Sequence, residues 1–302
     1  MKKKKGIRQD IKLFLFVLPV ILFIFVSKYL PLWGWSFAFF RYKPGRQLLD
    51  CTFVGWQNFV DLFENPLMRR NIFNSIKNTF GIHLLGYLFS PLPMLFAVLL
   101  SEVRSKKFQK LVQTVTTLPH FISWVILFSL AMSLLGSNGL VNTLLDNAGM
   151  EKINVLNSSN HVWLTQVLLQ EWKGLGWASI VYFAAIAGLD QEIYQAAMVD
   201  GASKMQRIRY ITLPQLIPTY FVLLIINIGN FLNTGVDQFM VFGNALNKEK
   251  IEVLDLYVYN LGIGSGQISY SVVVGVLKSV VALVLFASAN YASKKVRGSS
   301  VF

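Results

Sequence analysis

The chain is predicted to be an all-α membrane protein with six transmembrane helices. Hydrophobic residues make up 54% of its 302 positions and charged residues only 14%, where a soluble domain carries about 25% charge. The apolar residues gather into runs close to the roughly 20 that a helical span needs. Lipid admits only helices or closed barrels, and unbroken runs of this length fit helices.

The first span opens after a basic head, with an unbroken apolar run from Leu13 to Val26. A cleaved signal peptide begins the same way. Here the apolar stretch continues through Leu30-Pro-Leu-Trp-Gly-Trp35 to Phe40, and no small-x-small site follows the run. A retained signal-anchor helix with a cytoplasmic N-terminus is the expectation. Residues 1–70 are therefore read as this anchor plus an outer loop, and 71–302 as one transmembrane core.

Five further spans are expected over about 74–100, 111–135, 162–188, 217–242 and 269–291. Six spans put both termini on one side. Lys2, Lys3, Lys4, Lys5, Arg8 and Lys12 precede the first span, and Lys294, Lys295 and Arg297 follow the last. Arg104, Lys106, Lys107 and Lys110 fill a short connection. Such clusters beside span ends follow the positive-inside bias. They place both termini, 101–110 and 189–216 in the cytoplasm of a multi-pass membrane protein. They also account for the net charge of +13 without a nucleic-acid partner.

The outward stretch 41–70 departs from that bias. Arg41, Lys43, Arg46, Arg69 and Arg70 outnumber Asp50, Asp61 and Glu64, for a net +2. Within it, Gly55-Trp-Gln-Asn-Phe59 with Leu62 and Phe63 reads as a short amphipathic helix at the interface. The outer connection 136–161 has room for another around Leu140–Asp146.

The segment between the fourth and fifth spans is the most organised. Ile193, Ala196, Ala197 and Val199 recur at helical spacing. Gly201 permits a bend or a close approach. Asp200, Lys204, Arg207 and Arg209 supply charge, and Pro214 closes the segment. An exposed amphipathic helix of this kind suits a groove in a partner, with charged groups at the rim. It equally suits a helix covering its own bundle.

The spacing decides between them. Two alanines, three residues, glycine, nine residues and then Ile-x-Leu-Pro resembles the EAA loop of ABC importer permeases. Ala196, Ala197, Gly201, Ile211, Leu213 and Pro214 fall on it, while Gln195 stands where the family usually has glutamate. Leu118-Pro-His-Phe-Ile-Ser123, Glu171-Trp-Lys-Gly-Leu-Gly-Trp177 and Asp200-Gly-Ala-Ser203 are similar to the sugar-type permeases. Val253-Leu-Asp-Leu-Tyr-Val-Tyr259 and Ser271-Val-Val-Val-Gly-Val-Leu-Lys-Ser279 point to a polysaccharide-importer subgroup. The resemblance implies a type I ABC importer permease fold and a loop that docks on an ATPase through Gln195, Ala196, Ala197, Asp200, Gly201, Arg207, Ile211, Leu213 and Pro214. It also implies a second permease subunit, two cytoplasmic ATP-binding subunits and an extracellular solute-binding protein. The loss of charge at Gln195 puts one contact in question and leaves the docking.

The chain itself has no G-x4-G-K-[S/T] phosphate loop. ATP and magnesium are therefore expected on partner subunits, with no cofactor, metal or catalytic residue here. His83, His120 and His161 lack ligand spacing, and Cys51 is the only cysteine, so no intrachain disulfide forms.

The fifth expected span carries Asn227, Asn230, Asn233, Thr234, Asp237 and Gln238. Steps of three or four put most of them on one face of a continuous helix. Intramembrane polar groups face a bundle interior or a wet cavity. Amides and hydroxyls both donate and accept, as sugar hydroxyls require, so the stripe is read as a substrate passage; helix-to-helix hydrogen bonding is the competing account. Lys278 and Glu171 lie at similar depth and are expected to pair or to share a polar network. Trp172, Trp177, Phe231 and Phe239 could stack on sugar rings, but aromatics at helical spacing are more often packing residues, and no single ring is assigned to substrate.

The cargo expected is a carbohydrate, most simply an oligosaccharide. A polyol, glycerol phosphate or peptide would suit the same stripe. A stand-alone secondary transporter would explain the spans but not the ordered loop, and no inverted repeat is visible. Paired intramembrane carboxylates or a nucleophile motif, which a membrane enzyme would need, are absent.

Overall fold

In a computed structural model, residues 3–297 are described, with side chains described over 11–288. The terminal lysines and arginines behind the positive-inside argument, Lys2 to Lys5, Arg8, Lys294, Lys295 and Arg297, lie outside the described side chains. The chain divides into two compact units, Met1–Arg69 with Val258–Ser279, and Arg70–Tyr257 with Val280–Phe302.

In the first unit, α1 (Lys3–Ile24) runs through a π turn, Phe25–Tyr29, into a 3-10 segment, Leu30–Phe39. This apolar stretch is long enough to cross a bilayer, and none of its most hydrophobic window is buried. Leucine, isoleucine and phenylalanine left this open suit hydrocarbon, where backbone groups must be satisfied within the helix. Two short strands follow, β1 (Phe40–Arg41) and β2 (Thr52–Phe53), paired antiparallel with Phe40 opposite Phe53. The expected amphipathic helix is α2, Gln57–Glu64. Its apolar side is anchored by Leu62 and by Asn58, both 0% exposed. The Asn58 amide donates to the carbonyls of Ala38 (2.8 Å) and Phe40 (2.9 Å). Ser269 completes this knot, donating to the Phe40 carbonyl at 2.7 Å and accepting from the Tyr42 N–H at 3.0 Å.

The second unit holds the core. It begins within α3 (Pro66–Phe89) and continues with α4 (Leu92–Ser101), α5 (Lys106–Thr117), a 3-10 turn over Leu118–Phe121, α6 (Trp124–Leu135) and α7 (Leu140–Asn147). Then come α8 (Val162–Ala187), α9 (Gln191–Val199), α10 (Lys204–Arg207), a π turn (Ile208–Thr212) and α11 (Leu213–Gly229). The short helices α12 (Asp237–Phe242), α13 (Lys248–Ile251) and most of α14 (Leu254–Tyr259) follow; the π turn over Asn260–Gly264 and the final helix α15 (Ile268–Arg297) as far as Ser279 belong to the first unit, and the rest of α15 to the second. Among the described residues of the whole chain, five helical stretches, the first being Ile11–Phe39, are long and apolar enough to cross a membrane, or six when α8 and α9, bent by 71°, count as one span.

Two apolar clusters hold this unit. One joins Ile82, Leu127, Val162, Val167, Phe239 and Ile251 among others. The second joins Met94, Ala97, Val98, Tyr182 and Leu216, with Leu213 and Ile208 packed against it. Buried asparagines secure the connections. Asn142, 0% exposed, donates to the Gly136 and Ile153 carbonyls and accepts the Ile153 N–H, each at 2.8 Å. Asn78 reaches the Glu249 and Glu252 carbonyls. Each such loop would otherwise bury unpaired polar backbone, at about 1–3 kcal/mol per group.

Three expectations about the helices are corrected. The span expected over 111–135 is broken: α5 stops at Thr117 and α6 starts at Trp124. Pro119 lacks an N–H and disfavours helix in the residue before it, and Ser123 caps the new start by accepting the Ile126 N–H. The fifth span is not continuous from 217 to 242, because α11 ends at Gly229 and α12 begins only at Asp237. Gly235, at φ +75°, turns the chain there. Finally, residues 204–216 are helix and not loop: α10, the π turn and α11 run on as one 26-residue stretch, Lys204–Gly229. The π turn directly precedes Pro214, which sits in the first turn of α11. A π bulge accommodates the backbone acceptor that a proline leaves unpaired.

Candidate functional site

Two places gather the expected residues. The first is the segment from α9 to α11. Asp190 starts α9 by accepting the Glu192 N–H at 2.8 Å. The helix closes on Gly201, whose φ of +78° is the left-handed conformation favoured by glycine. The Ala202 N–H bonds the Ala197 carbonyl at 2.9 Å and the Gly201 N–H that of Met198 at 3.1 Å, a Schellman termination. Two residues on, Ser203 and Gln206 form a reciprocal capping box that starts α10. The bend and the restart are thus written into Gly201, Ser203 and Gln206.

Gln195, Ala196, Asp200, Gly201 and Pro214 are exposed, while Ala197, Arg207, Ile211 and Leu213 are half-buried. Met198, Met205 and Tyr210 are also exposed, and Val199 is 88% so. Such apolar groups on a charged segment fit a partner surface. The segment is tied inward through Tyr194, whose hydroxyl lies 2.8 Å from that of Thr212. Lys204 reaches the connection between α4 and α5, donating to the Glu102 carbonyl at 3.3 Å and pairing with its carboxylate at 4.0 Å. In that connection Gln109 spreads its amide over the carbonyls of Leu100, Ser101 and Val103, each at 2.9 Å.

The second place is a cavity of about 450 Å³ among α3, α8 and α11. Glu171, Asn227, Asn230 and Asn233 line it. The rest of the expected stripe is employed elsewhere, because the helix that would have aligned it ends at Gly229. The Thr234 hydroxyl and the Gly235 N–H donate to Asp255 at 3.2 and 3.1 Å. Gln238, 3% exposed, donates to the Gln166 carbonyl and side-chain oxygen at 3.0 and 2.8 Å. Asp237 is exposed at the start of α12. Lys278 belongs to the first unit and Glu171 to the second.

Sequence reasoning missed several lining residues. His83, Gly86, Tyr87 and Ser90 on α3, and Gln170 and Gly174 on α8, face the same cavity. Their spacing of three and four was a legible signal. The Nε2 atom of His83 is buried with no partner among the described residues. A Cβ built on Gly86 or Gly174 would meet nothing within 4 Å, so both glycines widen the cavity. The aromatics go to packing: Phe231 lies 4.5 Å from Phe80 and 4.8 Å from His83, Phe239 is fully buried, and Trp177 stacks on His120 at 4.5 Å.

Lys173 was also missed. It donates to the carbonyls of Pro119 (3.0 Å), His120 (2.7 Å) and Ile122 (2.6 Å), the acceptors that the break between α5 and α6 leaves free.

Residues 90–298, more than half of the chain, match the family described as the inner membrane component of binding-protein-dependent transport systems. The chain belongs to this family. This permease is 40% identical to the polygalacturonan/rhamnogalacturonan transport system permease protein YteP of Bacillus subtilis (strain 168), over 97% of this chain and 93% of that protein. It is 37% identical to protein LplB of the same organism, over 98% and 93%. Among solved structures it is similar to a chain of a bacterial ABC transporter involved in import of the acidic polysaccharide alginate, with a TM-score of 0.85, 33% identity, and coverage of 98% of this chain and 100% of that one. A further alginate transporter structure, in complex with pentasaccharide-bound periplasmic protein, matches with the same TM-score at 34% identity, covering 98% of each chain. The type I importer permease fold expected from the resemblance is therefore the fold of this chain, and its role is that of a transport permease subunit.

Proposed function

We propose that this permease is one of two membrane-spanning halves of an ATP-driven importer for an oligosaccharide. A solute-binding protein outside the membrane delivers the sugar, and two cytoplasmic ATP-binding subunits drive transport. Both termini, the α4–α5 connection and the α9–α10 segment face the cytoplasm. ATP hydrolysis takes place on the partner subunits, since this chain carries no phosphate loop.

The observation that carries the cargo is the near full-length similarity to YteP, a permease named for polygalacturonan and rhamnogalacturonan. The polar cavity agrees with it, since sugar hydroxyls need partners that donate and accept. For coupling, the α9–α10 segment docks in an ATPase groove by its exposed apolar and charged residues. ATPase closure shifts α9, and the continuous helix from Lys204 carries that shift toward the cavity. Binding and hydrolysis thereby bias inward-open against outward-open states.

The test is co-expression with an ATPase subunit and a second permease subunit of the same importer class, followed by uptake of labelled oligosaccharide into proteoliposomes with a binding protein supplied. Co-purification of an ATPase and ATP-dependent uptake are expected. Uptake without ATP, from the chain alone, would establish a secondary transporter instead.

A further inference from the structure

The cavity's polar groups are unusual in how few partners they have. Among the described residues, Glu171, Gln170, Asn227 and Asn233 make no side-chain hydrogen bond or ion pair, and His83 Nε2 is buried without one. All five line the same space. Glu171 and Gln170 are half-buried and Asn227 and Asn233 exposed, so their donors and acceptors are open to a ligand, and the buried His83 Nε2 would gain from one the partner it lacks.

The charge of the lining narrows the choice. Its described residues include one carboxyl group, Glu171, and neither lysine nor arginine. A carboxyl oxygen accepts well from the hydroxyls of a sugar ring, and the surrounding amides donate to the ring's other oxygens. A uronate residue is different. Its carboxylate beside Glu171 would put two acidic groups in one site, where both cannot ionise without cost, and no guanidinium or ammonium in this lining would offset it.

We infer that Glu171 is a specificity-determining residue that makes this half of the passage select neutral, hydroxyl-bearing sugar residues over uronates. The inference rests on the cavity being the sugar passage. A chain that mixes neutral and acidic sugars would present its neutral residues to Glu171.

The test uses the purified transporter complex in detergent without binding protein, so that the permease alone reads the sugar. Binding of galactotriose and of trigalacturonate is measured by calorimetry for the wild type, Glu171→Gln and Gly174→Val. The wild type is expected to favour galactotriose by about tenfold or more, the worth of one hydrogen bond to a charged group. Glu171→Gln, which keeps shape and hydrogen bonding, is expected to bring the two affinities within about threefold. Gly174→Val, which fills the cavity, is expected to weaken both sugars together. Equal affinities in the wild type, a preference for trigalacturonate, or a ratio unmoved by Glu171→Gln would overturn the selection. Binding of both sugars unaffected by Gly174→Val, or no binding by the wild type, would instead overturn the cavity as the passage, and the selection with it.

Discussion

The hydroxyl of Tyr194 on α9 meets that of Thr212 in the π turn at 2.8 Å. Thr212 is 3% exposed, whereas most of α9 is open. The bond thus fixes an exposed helix to the buried start of the helix that reaches the cavity. Tyr194→Phe keeps the ring and removes the bond, worth about 1 kcal/mol. We expect ATP hydrolysis by the assembled transporter to persist while sugar moved per ATP falls. Both rates are measurable in the same proteoliposomes, and an unchanged ratio would remove this bond from the coupling route.

Gly201 offers a cleaner separation of causes. A Cβ there would touch nothing within 4 Å, so substitution costs only the left-handed backbone, about 1–2 kcal/mol for alanine. Asparagine, which tolerates that conformation, should cost less, and valine more. Thermal unfolding of the purified permease should rank glycine, asparagine, alanine and valine in falling order. If alanine matched glycine, the Schellman termination would not be holding the bend.

The bend at Gly201 and the lipid-crossing lengths were legible because their signals are local: glycine takes the left-handed turn, and hydropathy marks runs long enough to span. The capping box of Ser203 and Gln206 was equally local and was missed. The interruptions were not legible, since hydropathy is blind to where backbone hydrogen bonds stop. Asn227 through Gln238 reads as one polar stripe only if the helix continues. Once it ends at Gly229, Asn227, Asn230 and Asn233 stay on the cavity, while Thr234 and Gln238 turn to Asp255 and Gln166. Glu171 drew notice as a charge in a span, yet Lys173 two positions on did not. Its partners are backbone carbonyls more than 50 residues away in sequence, and residue type does not announce such acceptors.

Gly176 marks where α5 and α8 approach closely. It is buried, and a Cβ there would strike the Thr116 carbonyl and the Thr117 nitrogen. These are backbone atoms, which cannot rotate aside as a side chain can. Gly176→Ala should force the helices apart at about 1–3 kcal/mol, the usual cost of overpacking. Gly86→Ala, which meets open space, should be nearly neutral for stability. Comparing the two melting temperatures checks that close approach, and not loss of glycine as such, sets the cost.

Lys173 should be the most costly of these positions to lose. An ammonium has three donors, and the break over 118–123 presents three carbonyls within 3.0 Å of it. The Trp124 ring centroid, 5.4 Å away, adds a cation–π contact. Lys173→Met keeps most of the side-chain volume but leaves all three acceptors unpaired in an apolar setting. Hydrogen bonds to charged groups are worth about 1.5–3 kcal/mol each and do not simply add, so we expect a loss of at least about 3 kcal/mol. Arginine should restore only part of it, because its planar fork does not match three converging carbonyls. Adding Pro119→Ala to Lys173→Met should recover stability if the added N–H lets the backbone close over those carbonyls. The three melting curves decide it: a double variant no better than Lys173→Met would mean that the break does not depend on the proline.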